Sequence, residues 1–369
     1  MQFVAKKQNI LNEISLVQGI VEKRSTRPIL ANTLLETDDN SIKVYATDLE
    51  VGLSSNFEAV IGTAGSITSP ARKLADIVRL LPEDVEISVE VTENNYLRIT
   101  CGKIEYKLAG APKADFPSVP KYDFADGIKI PAQTLKEMIN RTIYAITTEE
   151  TRYALNGAQL SFEAGKIRMV STDAHRLSFV EYPFKEYEGE PMDILVPRKT
   201  VAELRTLIGE KPENVEFGHS ENHLFFRVGG RTLDSRMLEG QFPNYEKVIP
   251  KGNDKRVTIN REVLAEAINR VALLSHETSR AVRLQFMPGS MLLSSSNPEM
   301  GEAKEEIEAI YDGTDMHIGF NAKYLSEFIS SLDSDEVIME LRDEAGAGLM
   351  LPAGEDKGIY KYVIMPMRI

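Results

Sequence analysis

The chain reads as an α+β protein made of three copies of one folding unit, each carrying two helices on antiparallel sheets. Three observations predict this. Its 369 residues exceed what one ordinary hydrophobic core serves. A set of ordered sequence features recurs at nearly constant spacing along the chain. Within each copy the apolar period switches between that of a helix and that of a strand. The composition, 42% hydrophobic and 27% charged, suits a well-packed globular protein, and no run approaches the roughly 18 apolar residues that a membrane helix needs.

Each copy opens on a short strand followed by a helix. Phe3-Val4 precedes Ile10, Ile14, Val17 and Val21; Ile128-Lys129-Ile130 precedes Leu135, Ile139 and Ile143; Val257-Thr258-Ile259 precedes Leu264, Ile268 and Val271. Apolar residues three or four apart give each helix one buried stripe. A hydroxyl residue followed by arginine comes next, at Thr26-Arg27, Thr151-Arg152 and Ser279-Arg280. A strand pair then ends in a turn-like element: Thr47-Asp48-Leu49-Glu50, Thr172-Asp173-Ala174-His175 and Ser296-Asn297-Pro298-Glu299.

The second helix of each copy starts near Arg72, Lys199 and Lys323. Alternating strands such as Val85-Glu86-Ile87-Ser88-Val89 and Val215-Glu216-Phe217 lead on to Asp115-Phe116-Pro117 and Gln241-Phe242-Pro243, while the third copy stops at Met365-Pro366-Met367. Helices are therefore expected over 6–23, 72–81, 132–146, 198–209, 260–274 and 321–332. Polar stretches at Asp123 to Gly127 and Pro250 to Lys255 mark linkers, so the predicted domains are 1–124, 125–252 and 253–369.

The formal charge of -13 argues against phosphate binding at first sight. Its distribution says otherwise. The six expected helices hold 14 basic and 8 acidic residues, a net of +6, and the remainder carries -19. Helices gathered on one side would present a positive surface to a nucleic acid while the acidic sheets repelled it.

The sequence holds no phosphate-binding glycine loop, no Gly-x-Gly-x-x-Gly, no His-Glu-x-x-His and no Gly-x-Ser-x-Gly. His219 and His223 stand four apart but flank Ser220-Glu221-Asn222, the pattern of a strand-to-strand turn, and Gly229-Gly230 reads as a hairpin. Ser171, Asp173 and His175 are expected on one strand face. A hydrolase centred on Asp173 and His175 is one alternative reading, yet side chains two apart on a strand point in parallel instead of converging, and the first copy has Ala46, Asp48 and Glu50 there. A repeat scaffold that does not bind DNA is the other. The lone Cys101 cannot form an internal disulfide, and the first residues lack the order of a signal peptide, which makes the reducing cytoplasm the expected compartment. The apolar end, Tyr362 to Ile369, fits either an adaptable binding surface or a last strand completing a sheet.

Thr172-Asp173-Ala174-His175-Arg176-Leu177, Glu239-Gly240-Gln241-Phe242-Pro243-Asn244-Tyr245 and Met365-Pro366-Met367-Arg368 closely resemble signatures of the bacterial DNA sliding clamps, the β subunits of the DNA polymerase III holoenzyme. The resemblance covers the whole chain. It implies three DNA-clamp domains per subunit, a head-to-tail homodimer closing as a six-domain ring, and a non-catalytic processivity factor that encircles duplex DNA without reading its sequence. It implies no cofactor and no metal; opening and loading would draw on ATP hydrolysis by a clamp loader.

The resemblance also assigns residues. Leu155, Thr172, His175, Arg176, Leu177, Pro243, Val248, Asn321, Tyr324, Val363, Met365, Pro366, Met367 and Arg368 would line a groove for short peptide motifs of the replicative polymerase, the clamp loader and repair proteins. Tyr106 and Leu108 would meet Leu273 and Leu274 at the dimer interface. Arg24, Arg152, Tyr153 and Lys199 would touch DNA, in the cytoplasm at the nucleoid. Family members often carry a second aromatic after that tyrosine, where this chain has Ala154, and Ile369 replaces a commoner leucine of similar volume.

Overall fold

Alternating β-branched and aromatic residues set up strands with one face toward a core, and the three copies lay them down in one order. The computed structural model describes residues 1–21, 27–149, 151–209, 213–354 and 357–368. The first copy runs β1 (Gln2–Lys6), α1 (Lys7–Ile20), β2 (Asn32–Asp38), β3 (Ser41–Thr47), β4 (Val51–Glu58), β5 (Val60–Thr63), β6 (Ser66–Pro70), α2 (Ala71–Leu80), β7 (Glu86–Thr92), β8 (Tyr96–Cys101) and β9 (Ile104–Ala109). The second runs β10 (Ile128–Pro131), α3 (Ala132–Thr142), β11 (Gly157–Glu163), β12 (Gly165–Thr172), β13 (Arg176–Phe184), β14 (Met192–Pro197), α4 (Arg198–Ile208), β15 (Asn214–Ser220), β16 (His223–Val228) and β17 (Arg231–Arg236). The third runs β18 (Lys255–Asn260), α5 (Arg261–Ala272), β19 (Ala281–Met287), β20 (Ser290–Asn297), β21 (Gly301–Glu308), β22 (Met316–Asn321), α6 (Ala322–Ile329), β23 (Glu336–Leu341), β24 (Gly348–Pro352) and β25 (Ile359–Ile364). Only the short β5 departs from the shared order.

All six expected helices form; α2 keeps its expected length, shifted by one residue, and the other five are shorter than their periodicity suggests. Asn260 and Asn321 lie before α5 and α6 as caps: the Asn260 Oδ1 accepts from the amides of Glu262 and Val263, and the Asn321 Oδ1 from those of Lys323 and Tyr324. Val21 is already extended, which ends α1 early, and residues 22–23 lie outside the described residues. Helix α3 gives way to a 3-10 turn over Ile143–Ala145.

The chain falls into two compact units, Met1–Gln133 with Ala202–Met237 and Thr134–Val201 with Leu238–Ile369. In the first, a five-stranded sheet is ordered β5-β1-β7-β8-β9 and an eight-stranded sheet β10-β15-β16-β17-β4-β3-β2-β6. Ile10 and Ile14 of α1 and Leu74 and Val78 of α2 pack with Phe3, Leu35, Phe57 and Ile87, leaving a void of only about 10 Å³. In the second, an eight-stranded sheet is ordered β14-β11-β12-β13-β25-β24-β23-β18 and a four-stranded sheet β21-β20-β19-β22.

Each eight-stranded sheet therefore joins four strands of one copy to four of the next, through the seams β4·β17 and β13·β25. The smaller sheets end on free edges, β9 and β21 among them. Among the described residues no helix is long and apolar enough to cross a membrane.

Candidate functional site

The Thr172–Leu177 segment is a turn locked by its own side chains. Strand β12 ends at Thr172, whose Oγ1 donates to the Arg176 carbonyl at 2.6 Å and accepts from the Ala174 amide at 3.1 Å. The Asp173 Oδ1 accepts from the amides of His175 and Arg176 at 2.9 and 3.0 Å, and its Oδ2 takes the Arg176 Nε at 3.0 Å. Ala174 completes the turn at a φ of 74°.

The first copy repeats the device with Thr47, Asp48 and Leu49, the last at a φ of 81°. Ser171, Asp173 and His175 thus do not share a strand face as expected: Ser171 is buried in β12 and donates to the Thr142 carbonyl, while Asp173 and His175 belong to the turn. The Asp173 carboxylate is a turn-former, already engaged by three donors.

Arg176 follows, and its guanidinium points inward. It pairs with Asp173 and Glu327, donates to the Tyr144 carbonyl and packs 4.1 Å from the centre of the Tyr324 ring. Burial opposes its charge, but Tyr362, Glu327 and Asp173 hold its pKa above the ordinary arginine value. It fixes Tyr324 from beneath, and the Tyr362 hydroxyl fixes it again by donating to the Tyr324 carbonyl. Asn321, besides capping α6, donates to the Ser279 carbonyl.

Next in the ladder, Leu177 stands opposite Val363. Both belong to an apolar cluster with Val170, Phe179, Tyr245 and Leu349, against which half-buried Phe242 and Ile249 pack. The Tyr245 hydroxyl accepts from Arg168 at 2.9 Å, and Phe242 meets the Tyr245 ring edge-on. Pro243, between the two aromatics in sequence, and Val248, three residues after the second, are exposed, and Leu155 is half-buried at the end of a 3-10 turn.

Strand β25 completes the sheet, and the tail continues past it. The Met365 amide donates to the His175 carbonyl at 2.9 Å, and the Met367 amide to the Gly319 carbonyl at 2.8 Å. The last strand therefore forms, and the tail runs on beyond it with Met365 exposed.

All fourteen residues assigned to the groove lie in one unit, with the turn, the apolar row and the tail tied together by the contacts above. Phe242, Tyr245, Leu349 and Val170 pack in the same apolar cluster and are not among the assigned residues. The first two stand inside the quoted Gly240-Gln241-Phe242-Pro243-Asn244-Tyr245 run and were legible as aromatic anchors; the others emerge only from strand register.

The remaining assigned residues are dispersed. Arg152 donates to the Asp173 carbonyl at 2.9 Å and pairs with Glu149, beside the exposed Tyr153. Lys199 is half-buried in the first turn of α4. Arg24 and Ile369, like Thr26, lie outside the described residues. Tyr106 and Leu108 are half-buried on the edge strand β9, whereas Leu273, 76% exposed, and half-buried Leu274 follow α5.

The expected basic excess of the helices overstates their surface charge. Lys7 is buried, its Nζ bonded to the carbonyls of Arg79 and Leu81 at the end of α2 and to Glu83. Arg141 is buried against Tyr182 and Tyr360, and Arg270 is gripped by Glu266 and Glu305. A tally of charges carries no direction. His219 and His223 sit at the two sides of the expected turn.

Three family models match in succession: the DNA polymerase III beta subunit N-terminal domain over residues 1–120, its central domain over 129–244 and its C-terminal domain over 246–368. The chain is 35% identical over 370 residues to the beta sliding clamp of Pseudomonas putida, with all of both chains covered. It is similar to a crystal structure of the DNA polymerase III subunit beta from Pseudomonas aeruginosa, at 35% identity, full coverage of both chains and a TM-score of 0.94. A Pseudomonas aeruginosa sliding clamp bound to griselimycin matches at the same identity, coverage and TM-score.

Proposed function

The chain belongs to the DNA polymerase III beta subunit family, the bacterial sliding clamps, and from that membership we propose which of its surfaces close a ring, receive partners and face DNA. It is a non-catalytic processivity factor: it encircles duplex DNA, slides along it and tethers the replicative polymerase. We place it in the cytoplasm at the nucleoid and divide it into domains 1–124, 125–252 and 253–369.

The observation that carries the ring is the incomplete pair of sheets. Between successive copies the fold makes an eight-stranded sheet, and the strands equivalent to the joined ones, β9 and β21, are left as edges. An exposed edge is a template for another strand. A second molecule supplies it: β9 of one protomer adds to β21 of its partner, head to tail, and two such contacts close a dimer.

The register follows from the seams within the chain. Gly52 pairs with Asp234 and Leu177 with Val363; carried through the strand pairings, these positions correspond to Glu302 on β21 and Lys107 on β9. The intermolecular ladder then sets Glu302 opposite Lys107 and Lys304 opposite Glu105, with Ala303 opposite Tyr106. Opposite charges meet on one face and apolar groups on the other. Tyr106, Leu108, Leu273 and Leu274 form the apolar part of this contact.

The groove of Leu155, Thr172, His175, Leu177, Pro243, Val248, Asn321, Tyr324, Val363 and Met365 to Arg368, with Arg176 beneath it, takes extended, partly apolar peptides of the polymerase, clamp loader and repair proteins. Arg24, Arg152, Tyr153 and Lys199 touch phosphates loosely, which permits sliding and makes binding salt-dependent. Light scattering across a dilution series tests the ring. A mass near twice 41.2 kDa is expected. Lys107→Glu weakens the dimer, and adding Glu302→Lys restores it. A stable monomer, or no rescue by the swap, rejects the ring contact or its register respectively.

A further inference from the structure

Beside the tail the structure forms a second cavity, of about 330 Å³, whose lining includes Arg283, His317, Gly319, Glu344, Met367 and Arg368. Strand register explains how it arises. On β22, Met316, Ile318 and Phe320 are buried, so His317, Gly319 and Asn321 share the opposite face. Arg283 of β19 stands opposite Gly319, and Gly319 stands opposite Met367 of the tail. The glycine therefore leaves no side chain between Arg283 and the tail.

Asn321, two residues along the same face, is one of the groove residues. At about 3.4 Å per residue the cavity begins roughly 7 Å from it, so groove and cavity form one continuous surface along β22.

The charges in the cavity are unbalanced. Glu344 is engaged by the His317 Nδ1 at 2.9 Å. Arg283 and Arg368 are both exposed, and among the described residues neither makes an ion pair. Two arginines against the single carboxylate of Glu344 leave the cavity with a positive excess that fits a further carboxylate, which an arginine fork binds in plane through two N–H groups.

We propose that this cavity receives the carboxylate of an aspartate or glutamate side chain that flanks the apolar segment of a partner peptide held in the groove. The proposal rests on the groove reading above. It makes charge beside the apolar segment, and not only the segment itself, a determinant of which partners bind well.

The test uses the full-length dimer and fluorescence anisotropy with one synthetic apolar peptide made in three forms, flanked by acidic, neutral or basic residues. The acidic form should bind about fivefold more tightly than the neutral one at low salt, with the advantage shrinking as salt rises. Arg283→Glu should abolish that advantage and favour the basic form, while leaving the neutral form unchanged. Arg283→Gln should remove the preference without reversing it. Equal binding of the acidic and neutral forms to the unmodified protein overturns the proposal, as does an equal loss of all three forms in Arg283→Glu. If the neutral peptide fails to bind at all, the groove reading falls first and this inference with it.

Discussion

The seams β4·β17 and β13·β25 have one topology and one register, yet their side chains make different places of them. Where the second seam has Leu177 opposite Val363, the first has Gly52 opposite Asp234. Where the second has Val170, the first has Tyr45. Gly52 leaves room that Tyr45 and Asp234 fill: a Cβ there would lie 2.3 Å from the Tyr45 Oη and 2.6 Å from an Asp234 carboxylate oxygen. The Tyr45 hydroxyl donates to Asp234, and its ring meets Phe116 edge-on at 6.2 Å. The first seam is thus closed by a buried polar pair, and the second presents an apolar row with the tail alongside. A duplicated fold offers the same position twice, and the residues at 45, 52 and 234 fill the first of them.

The largest effect should come from importing the polar character of the first seam into the second. Leu177→Asp places a carboxylate in the apolar cluster and should weaken peptide binding by at least about 30-fold, the loss of a hot spot, with dimer mass unchanged. Deleting Met365 to Ile369 should do the same. Full-strength binding after either change would erase the functional difference between the seams.

A pH effect is expected at the first seam. Burial, opposed by the hydrogen bond from Tyr45, raises the Asp234 pKa to about 7. An acid whose folded pKa lies above its unfolded value holds more protons when folded, so its contribution to stability is greatest near pH 4 and declines as pH rises toward 7. The decline amounts to at most about 4 kcal/mol, with no further loss at higher pH. Asp234→Asn should flatten that slope in urea denaturation followed at several pH values. Equal slopes in both proteins would mean that Asp234 titrates normally.

Gly52→Leu, the converse exchange, should lower stability by about 2 kcal/mol through overpacking against Tyr45 and Asp234, without altering peptide affinity. A gain of stability would show that the first seam has unused space.

Much of this was legible before the structure. The helix stripes of Ile10, Ile14 and Val17 and of Leu264, Ile268 and Val271 are buried as their spacing requires, and the repeated Thr-Asp turns fall where the copies align. Local period and turn chemistry carry that information. The seams did not announce themselves, because β17 pairs with β4 and β25 with β13 across well over a hundred residues, and pairing at such distance leaves no local pattern. Buried charge was equally hidden. Lys7 and Arg141 read as surface cations in a helix, and only packing shows that one ends α2 and the other lies against two tyrosines. The family signatures pointed to the Thr172–Leu177 turn and the tail, but not to the burial of Arg176 against the Tyr324 ring.

The most direct test of the central claim is retention on DNA. The protein should be assembled by a clamp loader on nicked circular plasmid, washed at high salt, and the plasmid then linearised. A closed ring that holds DNA topologically should stay on the circle through the salt wash and slide off the ends after linearisation. Loss from the circle at high salt, or equal retention on circle and linear DNA, would contradict a topological tether and point to ordinary electrostatic binding.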